Sequence, residues 1–180
     1  MGVAIGLRAQ NKVVKMDRSS QGLGRQAFLR SDRMSESVSV TITQKDNYQF
    51  VVDFGAGIAE MLADEPAPLG KGEGPAPTHM LLAAVANCLS ASLLFAIKKF
   101  KQDPGGITTT ATCRVDRNES NRLRVLEIDV AIRLGREASA IEHLDRVLGQ
   151  FEEFCTVSQS VRAGILIKVG VTDGSGQRLK

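Results

Sequence analysis

PAPTHMLLAAVANCLSASLLFAIKKF, Pro75 to Phe100, is the longest apolar run in the chain. Leu81, Leu82, Val85, Leu89, Leu93, Leu94 and Ile97 cover nearly every face of a helix, and a helix that is apolar all round is a buried one. Asn87, Ser90 and Ser92 interrupt the run, so it reads as a long central core helix and not as a membrane span. Thr78 is a candidate N-cap, with Pro77 at the first helical position as the alternative. Lys98, Lys99 and Lys101 complement the negative end of the helix dipole, and Asp103-Pro104-Gly105-Gly106 stops it. Cys88 lies in its middle.

Upstream of this helix, APLGKGEGPAP is a loop too rich in Gly and Pro for a helix or a central strand. Before it come three strand patterns. SVSVTIT, starting at Ser37, alternates with Val38, Val40 and Ile42 on one face; Lys45-Asp46-Asn47 turns the chain into YQFVVDF; IAEMLADEP is a shorter third strand stopped by Pro66. Residues 1–35 read as a basic, flexible leader preceding a single domain over 36–180, and Met34 is an alternative start to Met1.

Downstream, ITTTATCRVDR and RLRVLEIDVAIRL are long strands around a turn at Asn118 to Asn121. In the second, Ile128, Val130, Ile132 and Leu134 share the buried parity. Ala138 to Phe151 predicts an amphipathic helix with Ile141, Leu144, Val147, Leu148 and Phe151 inward. FCTVSQSVRAG predicts a short helix opened near Cys155 and closed by Gly164, ILIKVGVTD a last strand, and GSGQRLK a loose tail. The order β-β-β-α-β-β-α-α-β is that of an α+β domain.

Composition narrows the function classes. Aromatic residues make up 4% of the chain and Trp is absent, which leaves no platform for stacking bases. Residues 1–35 carry seven Lys/Arg against Asp17 and Asp32, so the net +3 belongs to the leader and the remainder is mildly acidic. No nucleic-acid or membrane partner is expected. MGVAIGLRAQNKVVK has no apolar core long enough for export, so the expected compartment is the cytoplasm, where a disulfide is transient or catalytic. With no CxxC and two histidines, no metal site is expected, and no cofactor is implied.

The three cysteines differ in kind. Cys113 sits within a strand and reads as a packed side chain. Cys155 opens a helix, where unpaired N–H groups favour a thiolate. Cys88 is buried in an apolar helix, where desolvation raises a thiol pKa, so it is inert unless another part of the fold activates it.

GEGPAPTHMLLAAVANCLSASLLFAIKK resembles the central helix of the OsmC/Ohr family, and FCTVSQSV resembles that family's second cysteine motif. The separation of 67 positions between Cys88 and Cys155 is similar too, and the likeness spans Ser37 to Asp173. The resemblance implies an OsmC-like fold, an intertwined homodimer, and a stress-related antioxidant activity: thiol-dependent reduction of organic hydroperoxides. It implies Cys88 as the peroxidatic thiol, Cys155 as the resolving one, and a dithiol reductant to reopen their disulfide. The substrate would be an organic hydroperoxide or another apolar small molecule; the alternative is a non-catalytic protein that binds an apolar ligand or partner. The family's active peroxidases place a Glu ten positions before the first cysteine and, in one branch, an Arg twenty before. Thr78 and Pro68 stand there here. Lys71 and His79, with Thr78, are therefore the auxiliary candidates beside Cys88.

Overall fold

A computed structural model describes residues 37–180, so the expected leader and the choice of start lie outside the described residues. The first three strands, β1 (Thr41–Asp46), β2 (Gln49–Asp53) and β3 (Met61–Ala63), form an antiparallel sheet in the order β1-β2-β3. The first turn falls at Asn47-Tyr48, where Asn47 takes a positive φ of 44°. The alternating face of the first strand is not buried: Val40 and Ile42 are exposed, and among the described residues no element covers them.

The loop between β3 and the long helix is organised by one buried carboxylate. Asp64 Oδ2 accepts the backbone N–H groups of Lys71 and Glu73, both at 3.1 Å, and the Gln49 side-chain amide at 3.3 Å. Gln49 also donates to Glu73 Oε2 at 2.7 Å. These bonds hold Asp64 below the usual carboxylate range even though burial pushes the other way. Gly70 sits so close to Asp64 Oδ1 and the Glu65 carbonyl that a Cβ there would overlap both.

The helix α1 (Pro77–Lys99) starts with Pro77 as its first residue and Ala76 at the N-cap, the second of the two expected starts. Thr78 is therefore inside the helix. Ala76 has no side-chain acceptor; the end is closed from within, His79 Nδ1 accepting the Ala76 N–H at 3.2 Å. The helix is the central core element, but along only one side. Its side chains run in stripes four residues apart. Val85, Leu89, Leu93 and Ile97 are fully buried, Cys88, Ser92 and Ala96 are half-buried, and Ala83, Asn87, Ala91 and Phe95 are exposed. α1 is long and apolar enough to cross a membrane by length and composition, yet its buried stripe is a protein core.

That stripe packs on β4 (Ile107–Arg117) and β5 (Leu123–Leu134), which pair antiparallel with a bulge between Arg114 and Val115. Ile128, Val130, Ile132 and Leu134 of β5 face it, the parity read from the sequence. β6 (Leu166–Thr172) adds in parallel beside β5, giving the order β4-β5-β6.

Between β5 and β6 the expected long amphipathic helix is broken. It resolves into a 3₁₀ turn (Ala138–Ala140), a short helix α2 (Leu144–Leu148) and a second 3₁₀ turn (Phe151–Phe154), with His143 left-handed at φ 61°. The inward residues Ile141, Leu144, Val147 and Phe151 are buried as expected. The break falls at His143, whose left-handed backbone separates the first 3₁₀ turn from α2. α3 (Thr156–Arg162) follows with Cys155 at its N-cap. The C-terminal segment is pinned, not loose. Buried Asp173 accepts N–H groups of Ser175, Gln177 and Ala138 at 2.9–3.0 Å, and Leu179 and Lys180 bond to the Val171 carbonyl.

Candidate functional site

Helix α1 and the mouth of α3 cross at the two cysteines. Cys88 projects from the half-buried stripe of α1, and Cys155, fully buried, from the residue that opens α3. Both are free thiols, and each acts on the ionisation of the other. The 66 intervening residues contain β4, β5 and the broken helical segment, which return the chain to the side of α1 from which it left.

The two thiols have opposite electrostatics. Burial pushes Cys88 up, and the hydrogen bond and charge of Cys155 push it further; the N–H groups of Val157 and Ser158 oppose this without overcoming it. Burial also acts against the Cys155 thiolate, but the hydrogen bonds from Cys88, from the side chain and N–H of Ser158, and from the Ser92 side chain outweigh it, and Cys155 is held below the ordinary thiol value. The two thiols act on each other, so they titrate as a pair.

The expected auxiliary residues are engaged elsewhere. Lys71 is exposed and pairs with Asp46 at 3.3 Å. His79 accepts the N-cap N–H, and Thr78 lies half-buried in the first turn of α1. None of the groups that mainly set the Cys88 ionisation is a cation. Sequence reading missed Ser92 and Ser158. Each carries a local signal: Ser92 is one helical turn beyond Cys88, on the same face, and Ser158 lies three residues after Cys155. Cys113 packs against the core from β4 and takes no part. Among the described residues no cluster of three or more His, Cys, Asp or Glu could hold a metal.

Ser92 also lines a cavity of about 210 Å³ between α1, α2 and the Phe151–Phe154 turn, walled by Phe95, Phe100, Phe151 and Phe154. The Lys99 ammonium lies 4.7 Å from the centroid of the Phe95 ring. A second cavity, about 420 Å³, lies along the exposed face of α1 against Phe54 and Met61.

An α+β domain whose central helix and a later short helix bring two thiols together is the class that fold and site define. The family model described as OsmC-like protein matches residues 70–170, and the chain belongs to the OsmC family. The fold agrees. An organic hydroperoxide resistance protein from Elizabethkingia anophelis, with thiocyanate bound, is 20% identical at a TM-score of 0.64, covering 78% of this chain and 99% of that one. A Psychrobacter arcticus protein named for osmotic stress induction and detoxification response is 21% identical at 0.65, covering 77% and 98%. The organic hydroperoxide resistance protein OhrB of Bacillus subtilis is 16% identical at 0.59, covering 76% and 98%. Comparison with curated proteins gave no sequence match.

Proposed function

We propose that this chain is a thiol-dependent peroxidase that reduces organic hydroperoxides, with Cys88 as peroxidatic thiol and Cys155 as resolving thiol. The observation that carries the reading is that α1 and the start of α3 pack together and bring these two thiols near enough to act on each other's ionisation. Cys88 is the one of the pair that is partly exposed, so it meets the oxidant; Cys155 waits behind it. Attack of the Cys88 sulfur on the O–O bond yields a sulfenic acid and an alcohol, and condensation with Cys155 yields a disulfide and water. A dithiol reductant reopens the disulfide by exchange. The aromatic cavity beside Ser92 supports an apolar substrate. Three of the solved structures of like fold bear the name of organic hydroperoxide resistance.

The working unit is a homodimer. Its support is the exposed apolar surface of the single chain: the Ala83–Phe95 stripe of α1 and the uncovered Val40 and Ile42 before and within β1.

The decisive experiment treats the reduced protein with one equivalent of cumene hydroperoxide and maps its peptides by mass spectrometry. A Cys88–Cys155 disulfide with Cys113 free is the expected product. If no such disulfide forms, the reading is wrong.

One observation favours a second reading, a non-catalytic protein that holds an apolar ligand. Cys88 is pushed up, not down, and no cation stands among the main groups acting on it. On that reading the cavities bind and the thiols are bystanders, and peroxide leaves Cys88 reduced.

A further inference from the structure

The cavity beside Ser92 joins an aromatic wall to a positively charged mouth. Of its four phenylalanines, Phe151 is fully buried, whereas Phe95 and Phe154 are 60% and 68% exposed. Exposed apolar surface in a concave setting marks a site that something covers. Lys99 and Arg146 line the same cavity, both exposed, and no Asp or Glu lines it. The Lys99 ammonium stands 4.7 Å from the centroid of the Phe95 ring and 5.8 Å from that of Phe154, and the Arg146 guanidinium carbon stands 5.6 Å from that of Phe100. Among the described residues neither cation pairs with a carboxylate. Glu152, in the Phe151–Phe154 turn, is already engaged by Arg162 and Lys180.

Lys98, Lys99 and Lys101 all complement the end of α1, but of the three it is Lys99 that lies over rings and lines the cavity. A cation over a ring face is attracted by the ring and still keeps its N–H donors, and a stacked guanidinium keeps those in its own plane. The cavity therefore offers an apolar interior and positive charge that no acidic side chain neutralises.

We propose that this cavity is a binding site for an organic carboxylate, with an aryl or short alkyl group among the phenylalanines and the carboxylate on Lys99 and Arg146. A volume of about 210 Å³ has room for such a group, since a cavity of about 150 Å³ admits benzene. The other polar side chains in the lining, Ser92 and Gln150, are neutral, so charge complementarity favours an anion. Ser92 lies one helical turn beyond Cys88. On the peroxidase reading the site selects hydroperoxides that carry an acid group; on the binder reading the carboxylate is itself the ligand. The binding site rests on neither.

The test is calorimetric titration of the reduced protein with phenylbutyrate and, in parallel, with its neutral amide, which has the same apolar body without the charge. The acid is expected to bind about three- to tenfold more tightly than the amide, as two partly exposed cation–carboxylate contacts allow, and added salt should shrink the preference. Lys99→Gln and Arg146→Gln should each reduce the preference, and the double substitution should abolish it while the amide still binds. Lys98→Gln removes the same charge from the same end of α1 and should leave the preference unchanged. All three side chains are exposed, so the variants keep the fold.

Equal affinity for acid and amide in the wild type overturns the proposal. So does a preference that survives the double substitution or falls as far in Lys98→Gln. Binding of neither probe also overturns it, and a second copy of the chain is then what covers the rings. None of these outcomes bears on the Cys88–Cys155 disulfide, which the peroxide experiment decides separately.

Discussion

Cys88 and Ser92 stand one turn apart on the same stripe of α1, and both act on the ionisation of Cys155 at the opening of α3. Cys155 is held below the ordinary thiol value and Cys88 above it. Titration followed by thiolate absorbance near 240 nm should show a first step below the ordinary cysteine range. Cys155→Ser should abolish that step, and Ser92→Ala should move it upward because one donor to the thiolate is gone. An early step that survives unchanged in Cys155→Ser would place the charge on Cys88 instead.

What the sequence disclosed of this site was set by local pattern. The α1 run and the β5 parity are repeats a chain carries in itself; the β5 parity came out as read, whereas α1, read as buried all round, buries Val85, Leu89, Leu93 and Ile97 and leaves Leu81, Leu82 and Leu94 half-buried. The cysteine pair was legible through its motifs, because two short segments hold it. Ser92 and Ser158 were not: on an apolar run a serine reads as an interruption, and only the crossing of α1 and α3 turns it toward a sulfur. Asp64 was hidden for the same reason. A carboxylate at the end of a strand looks solvated until the loop after it folds back and donates its N–H groups. The helix expected over Ala138 to Phe151 has helical spacing at Ile141, Leu144, Leu148 and Phe151, but the chain is broken at left-handed His143, which that pattern does not announce.

The loop around Asp64 depends on a residue without a side chain. A Cβ at Gly70 would collide with Asp64 Oδ1 and with the Glu65 backbone carbonyl, and backbone cannot rotate out of the way. Gly70→Ala should destabilise by roughly 1–3 kcal/mol, the usual cost of overpacking. Gly164 is the control: it has open space around its Cβ position and no positive φ, so Gly164→Ala should stay within about 0.5 kcal/mol. Urea denaturation of the two variants measures the difference. Equal stabilities would mean that the Asp64 loop is free to shift.

Asp173 gives the C-terminal segment a pH dependence of known sign. The Ser175 hydroxyl, first, and then the N–H groups of Ala138, Gln177 and Ser175 hold its carboxyl below the ordinary value, outweighing burial. A depressed folded-state pKa contributes stability that is complete above the unfolded value of about 3.9 and is lost as pH falls through the folded one. Hydrogen exchange at the Ala138 and Gln177 amides should therefore be slow near neutrality and speed up below about pH 4, beyond the intrinsic pH effect. Asp173→Ala should show the fast behaviour at neutral pH and lose that part of the acid dependence. Protection unchanged by the substitution would show that the Leu179 and Lys180 bonds to Val171 hold the segment alone.

The stripes of α1 separate folding from assembly. Leu89 is completely buried against β5, so Leu89→Ala should cost about 2–5 kcal/mol through lost transfer energy and the cavity left behind. Ala84 lies on the opposite side, exposed and lining the cavity against Phe54 and Met61. In a single chain Ala84→Glu puts a charge into water and should change stability by less than about 0.5 kcal/mol. If a second copy covers that side, the same change buries a carboxylate with no partner, which is costly. Sedimentation velocity should then show wild type as a dimer and Ala84→Glu as a folded monomer, while the remaining folded Leu89→Ala protein still dimerises. A monomeric wild type would refute the homodimer; a dimeric Ala84→Glu would move the interface off this side of α1.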